Sequence, residues 1–151
     1  MGSNTQQRTA LITGAQGGIG KAIVRRLWRE GHATILLDVD EQVHEQAETL
    51  RKAGHQARSV VCDLRSEAQI TNMFASFDAE GTHVDILVNN AGISPKVGGK
   101  SLPAEEVSLA EWEMVLAVNL TAPFLLSRTA SVRMRRRGWG RIINMVSVAG
   151  R

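Results

Sequence analysis

The 151-residue chain contains no tyrosine, one cysteine, three prolines and only 4% aromatic residues. A lone cysteine, Cys62, excludes an internal disulfide and points to a reducing, cytoplasmic setting. The absence of tyrosine removes the phenol from the acid–base groups these residues can offer. No stretch of 18 consecutive apolar residues occurs, so no membrane span is expected; residues 1–8 are polar and show no apolar leader core. His32, His44, His55 and His83 lack metal-ligand spacing, so no metal is expected. The net charge of +3 is unevenly spread: residues 128–151 hold seven arginines and no acid. No aromatic platform or recognition motif accompanies them, so nucleic acid is not expected as a partner. Cations at a solvated helix end, where they suit the dipole, are the simpler reading.

What is present is a regular alternation of strand-type and helix-type patterns, which argues for a parallel α/β sheet. Apolar content of 43% with 22% charged residues suits one globular domain. Residues 1–8 are expected as a disordered tail or cloning remnant, and 9–151 as a single dinucleotide-binding domain. Strands are expected at Thr9–Thr13, Thr34–Asp38, Arg58–Cys62, Ile86–Asn89 and Ile142–Ser147. The second, fourth and fifth are nearly continuous apolar runs, as strands covered on both faces should be. Ile19, Ala22, Ile23 and Leu27 share one face of a first helix. Ser66-x-x-Gln69 and Ser108-x-x-Glu111 read as capping boxes opening later helices. Pro123 should kink or divide the last of these.

The most informative segment is Thr13-Gly14-Ala15-Gln16-Gly17-Gly18-Ile19-Gly20, where an apolar strand meets spaced glycines and a helix begins. Glycines there permit a tight turn and close approach of backbone to a pyrophosphate, whose charge suits the helix N-terminus. An acid, Asp38, ends the second strand; it can accept hydrogen bonds from a ribose diol and would repel a 2′-phosphate. Other ordered signals follow: Cys62-Asp63-Leu64, Asn89-Asn90-Ala91-Gly92, Val118-Asn119-Leu120-Thr121 and Asn144-Met145-Val146-Ser147. Read singly, the asparagines suit turns and Ser147 suits a strand end. Together, in this order, the five segments resemble the short-chain dehydrogenase/reductase family.

The resemblance implies a Rossmann-type doubly wound parallel sheet with five strands in the order 3-2-1-4-5 and the family's last strands missing. It implies hydride transfer between a nicotinamide and a secondary alcohol or ketone. By the same resemblance, Gly14, Gln16, Gly18, Ile19, Gly20, Asp38, Asp63, Leu64, Asn90, Ala91 and Gly92 bind the cofactor. Asn119 supports a proton-relay water and Ser147 orients the substrate oxygen. Asp38, with Gln16, Gly17 and Val39 where a base would favour a 2′-phosphate, implies NAD(H) over NADP(H). The family's Tyr-x-x-x-Lys pair is expected about a dozen residues beyond Ser147 and is not in this sequence. The chain alone is therefore expected to be inactive, with its fifth strand an apolar edge that a continuation or complementing C-terminal fragment would cover. A homo-oligomer, dimer or tetramer, is implied through the helices after residue 108. Two other readings stay open: a non-catalytic nucleotide-binding module, and a methyltransferase, against which Asn89-Asn90-Ala91-Gly92 argues.

Overall fold

In the computed structural model, which describes residues 7–97 and 100–147, five parallel strands form one sheet. They are β1 (Thr9–Thr13), β2 (Ala33–Asp38), β3 (Ala57–Val61), β4 (Ile86–Asn89) and β7 (Arg141–Asn144). Between β4 and β7 lies a two-residue antiparallel pair, β5 (Lys96–Val97) with β6 (Lys100–Ser101). The sheet order is β3-β2-β1-β4-β7, the order expected from the resemblance. The helices are α1 (Gly18–Arg29), α2 (Val43–Lys52), α3 (Glu67–Ala79), α4 (Leu109–Leu116) and α5 (Ala122–Arg136). Residues 1–6, where most of the expected tail falls, lie outside the described residues. Arg8 already belongs to the fold: its carbonyl accepts from Ala33 N–H, and its guanidinium lies 4.0 Å from the Trp139 ring centroid.

Side-chain alternation along the strands divides the core into two layers. From β1, Leu11 enters one layer while Ala10 and Ile12 enter the other. The first layer lies under α3 and α5, which contribute Phe74, Phe77, Leu126 and Ala130. The second lies under α1 and α2, with Val24 and Val43. β1, β2 and β4 are covered on both faces, which explains their unbroken apolar runs.

Three local expectations meet a different outcome. The fifth strand, expected to reach Ser147, pairs only through Asn144, because its neighbour β4 ends at Asn89; one further bond runs from Met145 N–H to the Asn89 carbonyl. Its residues are not covered on both faces: Arg141, Ile143 and Asn144 are exposed. The Ser66 box is half formed. Ser66 Oγ accepts from Gln69 N–H at 3.2 Å, but the Gln69 side chain reaches past it to Asp63 N–H at 2.8 Å. The box at Ser108 is complete, with both reciprocal bonds to Glu111.

Pro123 does not break its helix, which runs on to Arg136; the backbone ahead of it widens instead. Residues Ala117–Thr121 form a π-turn in which Ala122 N–H reaches the Ala117 carbonyl five residues back. Pro123 has no N–H to give to the carbonyl of Asn119, and the wider turn accommodates that missing bond before α5 proceeds. The run Leu109–Arg136 spans 28 residues with a most apolar window of mean hydropathy 1.3, long and apolar enough to cross a membrane by length and composition. Apolar and polar residues are interleaved, which is why no unbroken apolar stretch marks it. One side is a core face, with Leu125, Leu126, Ala130 and Met134 buried.

The arginine-rich stretch is matched by acids from other elements. Arg128 pairs with Glu67 at 2.6 Å, Arg133 with Asp78 at 2.5 Å and Arg137 with Asp85 at 3.4 Å. Much of its charge is thus answered within the fold by α3 and the start of β4.

Candidate functional site

The carboxyl ends of β1, β2, β3 and β4 open on a cleft of about 500 Å³, within the range of small-molecule sites. It lies where the strand order reverses: β1 pairs with β2 on one side and β4 on the other. Gly14, just past β1, has φ +64°, and a Cβ there would lie 2.9 Å from Ala91 Cα in the loop after β4. The two loops that flank the reversal are therefore in backbone contact. A Cβ on Gly20 would fall 2.1 Å from the Gly14 carbonyl oxygen, so α1 can start this close to the turn only with glycine there.

The first turn of α1 has neither a side-chain cap nor an acidic residue. Its leading N–H groups have no intrahelical partner, and they meet the positive end of the helix dipole. Gly18 has open space where a Cβ would be. Such an arrangement of free amides beside a cleft fits an anionic group such as a pyrophosphate.

Asp38 ends β2 and is half-buried. Its Oδ2 accepts from Gln16 N–H at 2.9 Å, and its Oδ1 from Val39 N–H at 2.8 Å and Asp40 N–H at 3.3 Å. The carboxylate is thereby anchored by backbone on both oxygens and faces the cleft as an oriented acceptor. Val39, alongside it, is 64% exposed and carries no charge.

Thr13 is the hub that joins β1 to the Asn89-Asn90-Ala91-Gly92 turn. Its hydroxyl is buried, donates to the Val88 carbonyl at 3.4 Å and accepts from Asn90 N–H at 3.0 Å and Ala91 N–H at 2.9 Å. Asn90 Nδ2 returns to the carbonyls of Thr13 and Gly14 at 2.9 and 3.1 Å. Asn89, also buried, donates to Asn144 Oδ1 at 2.8 Å and Ser127 Oγ at 3.1 Å. The Asn89 amide nitrogen thus finds partners in β7 and α5, while its Oδ1 is buried without a hydrogen-bond partner among the described residues.

Of the residues expected to bind a cofactor, Gly14, Gly18, Ile19, Gly20, Asp38, Asp63, Leu64, Asn90, Ala91 and Gly92 all line the cleft. Gln16 does not; its contribution is the N–H that orients Asp38. Asn119 and Ser147 are not part of the cleft wall either. Asn119, in the π-turn, forms a two-point clamp on Ile93: Nδ2 donates to its carbonyl at 2.8 Å and Oδ1 accepts from its N–H at 2.9 Å. Ser147 is exposed beyond β7. Sequence reasoning missed the Thr13 hydroxyl and Arg65, which lines the cleft beside Asp63. The i, i+2 spacing of Asp63 and Arg65 was the available signal.

Cys62 also touches the cleft, but burial pushes its thiol up to about 11, so it stays protonated and unreactive at neutral pH. Among the described residues there is no cluster of metal-ligating side chains.

A doubly wound sheet, a glycine turn at its reversal point and an acid ending β2 define a dinucleotide-binding class of site. The profile of the short chain dehydrogenase family matches residues 8–151, and the chain belongs to that family. It is 36% identical to cis-4-hydroxycyclohexanecarboxylate dehydrogenase of Sinomonas cyclohexanicum, over 99% of this chain and 59% of that protein. Among solved structures, it superposes on a gluconate 5-dehydrogenase from Burkholderia cenocepacia in complex with NADP and tartrate. That match has TM-score 0.84 and 34% identity, and covers 93% of this chain and 54% of the other. An NAD+-bound xylitol dehydrogenase matches with TM-score 0.86 and 33% identity, covering 98% of this chain and 56% of that one. The chain thus spans little more than half the length of the relatives it matches.

Proposed function

We propose that this chain supplies the NAD(H)-binding part of an oxidoreductase that interconverts a secondary alcohol and a ketone. The carrying observation is Asp38, fixed in the cleft by Gln16, Val39 and Asp40 N–H groups with no cation in the glycine turn beside it. A carboxylate so placed accepts from the ribose diol of NAD(H) and repels the 2′-phosphate of NADP(H). The uncapped start of α1 holds the pyrophosphate, Gly14, Gly18, Ile19 and Gly20 admit it, and Asn90, Ala91 and Gly92 line the path toward the nicotinamide. When bound, the nicotinamide gives or takes the hydride.

Ser147 orients the substrate oxygen, and Asn119 holds the loop at Ile93 and supports a water on the proton path. With no tyrosine among the 151 residues, the phenol and lysine of the family's reaction come from outside this chain. Removing a general acid/base costs a factor of about 10²–10⁴, so the chain alone is inactive. A complementing C-terminal segment supplies the pair and covers β7. The exposed Trp112, Leu120 and Phe124 along α4–α5 support a homo-oligomer. The missing phenol also favours a second reading, a nucleotide-binding module without turnover.

Calorimetric titration of the chain with NADH and NADPH tests the cofactor reading. NADH is expected to bind at least tenfold more tightly, and Asp38→Ala to weaken NADH while relieving NADPH. Tighter NADPH binding by the unsubstituted chain overturns it. Turnover of an alcohol panel after addition of the downstream segment separates the enzyme from the module.

A further inference from the structure

The face of α2 that meets the sheet is apolar except at one position. Val43 and Ala47 are buried on it, and Leu50 packs against the second core layer. Gln46, three residues after Val43 and four before Leu50, shares that face. Its Nε2 donates to the Ala15 carbonyl at 3.2 Å, across 31 residues of chain, and Ala15 is fully buried. Only the amide nitrogen can donate to a carbonyl, so this bond fixes which way the Gln46 amide faces. Its Oε1 is buried without a hydrogen-bond partner among the described residues, so the donor end is what the amide contributes. Gln46 does not line the cleft.

The Ala15 carbonyl belongs to the peptide group that joins Ala15 to Gln16. The nitrogen of that same group is the Gln16 N–H that donates to Asp38 Oδ2 at 2.9 Å. The group is trans and planar, so its C=O and N–H point in opposite directions and turn together. Gln46 and Asp38 therefore hold the two ends of one peptide plane. Ala15 N–H, which donates to the Leu37 carbonyl at 3.1 Å, belongs to the preceding peptide and leaves this plane free to turn. Turning it takes the N–H away from Asp38 and brings a carbonyl oxygen toward the carboxylate. Of the two Asp38 oxygens, Oδ1 accepts from Val39 and Asp40 N–H groups, whereas Oδ2 accepts from Gln16 alone. Oδ2 keeps an acceptor site for a ligand hydroxyl, and it is the oxygen that the held peptide aligns.

We propose that Gln46 is a positioning residue for the ribose end of the cleft: by holding the Ala15 carbonyl it sets the peptide plane that aligns Asp38 for a ribose diol. This rests on the cofactor reading above. Gln46 touches no ligand and acts only through the Gln16 N–H and Asp38. Without its amide, the plane is held at one end, Oδ2 loses its fixed direction, and the diol is bound less well. The 2′-phosphate of NADPH, repelled by the charge whatever its direction, is little affected.

The test is a double-mutant cycle read by calorimetric titration with NADH and NADPH. Gln46→Leu removes the donor, and the loss of one neutral hydrogen bond predicts NADH binding weakened by about three- to tenfold. NADPH binding is expected to stay within about twofold. In the Asp38→Ala background, Gln46→Leu is expected to change NADH binding by less than about twofold, because the residue through which it acts is gone. A merely structural role predicts the same loss with and without Asp38. Gln46→Met, of similar length, repeats the cycle with different packing, and urea unfolding checks that each variant is folded. A loss of NADH affinity that persists undiminished in Asp38→Ala overturns the inference while the cofactor reading stands. Unchanged NADH affinity in both Gln46→Leu and Gln46→Met does the same. Failure of the unsubstituted chain to bind either dinucleotide, or its tighter binding of NADPH, overturns the cofactor reading and this inference with it.

Discussion

Strand β4 is buried along all four of its residues, Ile86–Asn89, whereas its neighbour β7, similarly apolar in sequence, leaves Arg141, Ile143 and Asn144 exposed. Both are parallel strands in the same sheet, in register from Ile86↔Arg141 to Asn89↔Asn144. What differs is the company they keep. β4 has β1 on one side, β7 on the other, α5 against it, and Thr13 and Ser127 meeting its polar end. Among the described residues, no strand pairs with the outer edge of β7. The cleft is built on the saturated side. Ser147, the residue expected to meet substrate, emerges from the unsaturated one.

The comparison can be broken most readily at the cleft. Gly20→Val places a branched side chain where even a Cβ meets the Gly14 carbonyl at 2.1 Å, so the turn must open. Loss of NADH binding by more than 100-fold and destabilisation of about 3 kcal/mol are expected, by calorimetry and urea unfolding. Gly18→Ala, with open space at the Cβ position, should change stability by less than about 0.5 kcal/mol. Equal effects at the two glycines would show that the turn is not held as described.

Thr13→Val is the next largest. It leaves the part-buried Asn90 and Ala91 N–H groups without their shared acceptor, an expected loss of about 1–3 kcal/mol. Stability within about 0.5 kcal/mol of the unsubstituted chain would remove the hub from the account.

A smaller effect is expected at the surface pair between α3 and α5. Arg133 holds the Asp78 carboxyl below its ordinary range by direct hydrogen bonding. A depressed native value contributes stability that is complete above the unfolded value, near 3.8, and is lost as pH falls through the native one. Asp78 is half exposed, so screening limits the contribution to about 0.2–1 kcal/mol. Asp78→Asn should therefore lower stability slightly at pH 7 and not at all near pH 2, in urea titrations at the two pH values. A larger loss at pH 2 would reverse the assignment.

A small effect on stability is also expected at β7. Ile143 is 45% exposed, so Ile143→Thr should cost less than about 1 kcal/mol, while Leu87→Ala in the covered part of the sheet should cost about 2–5 kcal/mol. Light scattering of Ile143→Thr should show less association than the unsubstituted chain, since an apolar edge is blunted. Matching losses at the two positions would mean that β7 is as well covered as β4.

Much of this was legible in the sequence because it depends on neighbours along the chain. Thr9–Thr13 and Ile86–Asn89 were readable to the residue from apolar runs and flanking turns, and Asp38 from its place at the end of β2. The capping box at Ser108 was equally local. The box at Ser66 was only half right, because Gln69 had a second candidate, Asp63 N–H, that becomes reachable once the loop folds back. The widening at Ala117–Thr121 was legible as a disturbance at Pro123 but not as a π-turn, since the choice among kink, break and bulge depends on what the helix packs against.

By itself, then, the order of residues determined the element sequence, the glycine turn and the acid that faces it. Backbone geometry and short-range hydrogen bonding decide those within a few residues. Tertiary structure alone decided that the Thr13 hydroxyl serves Asn90, 77 residues away, and that Asn119 clamps Ile93. It also decided that β4 is buried where β7 is not. Those outcomes depend on which distant groups arrive at the same place, and a hydrogen bond or a covered face has no value until its partner is there.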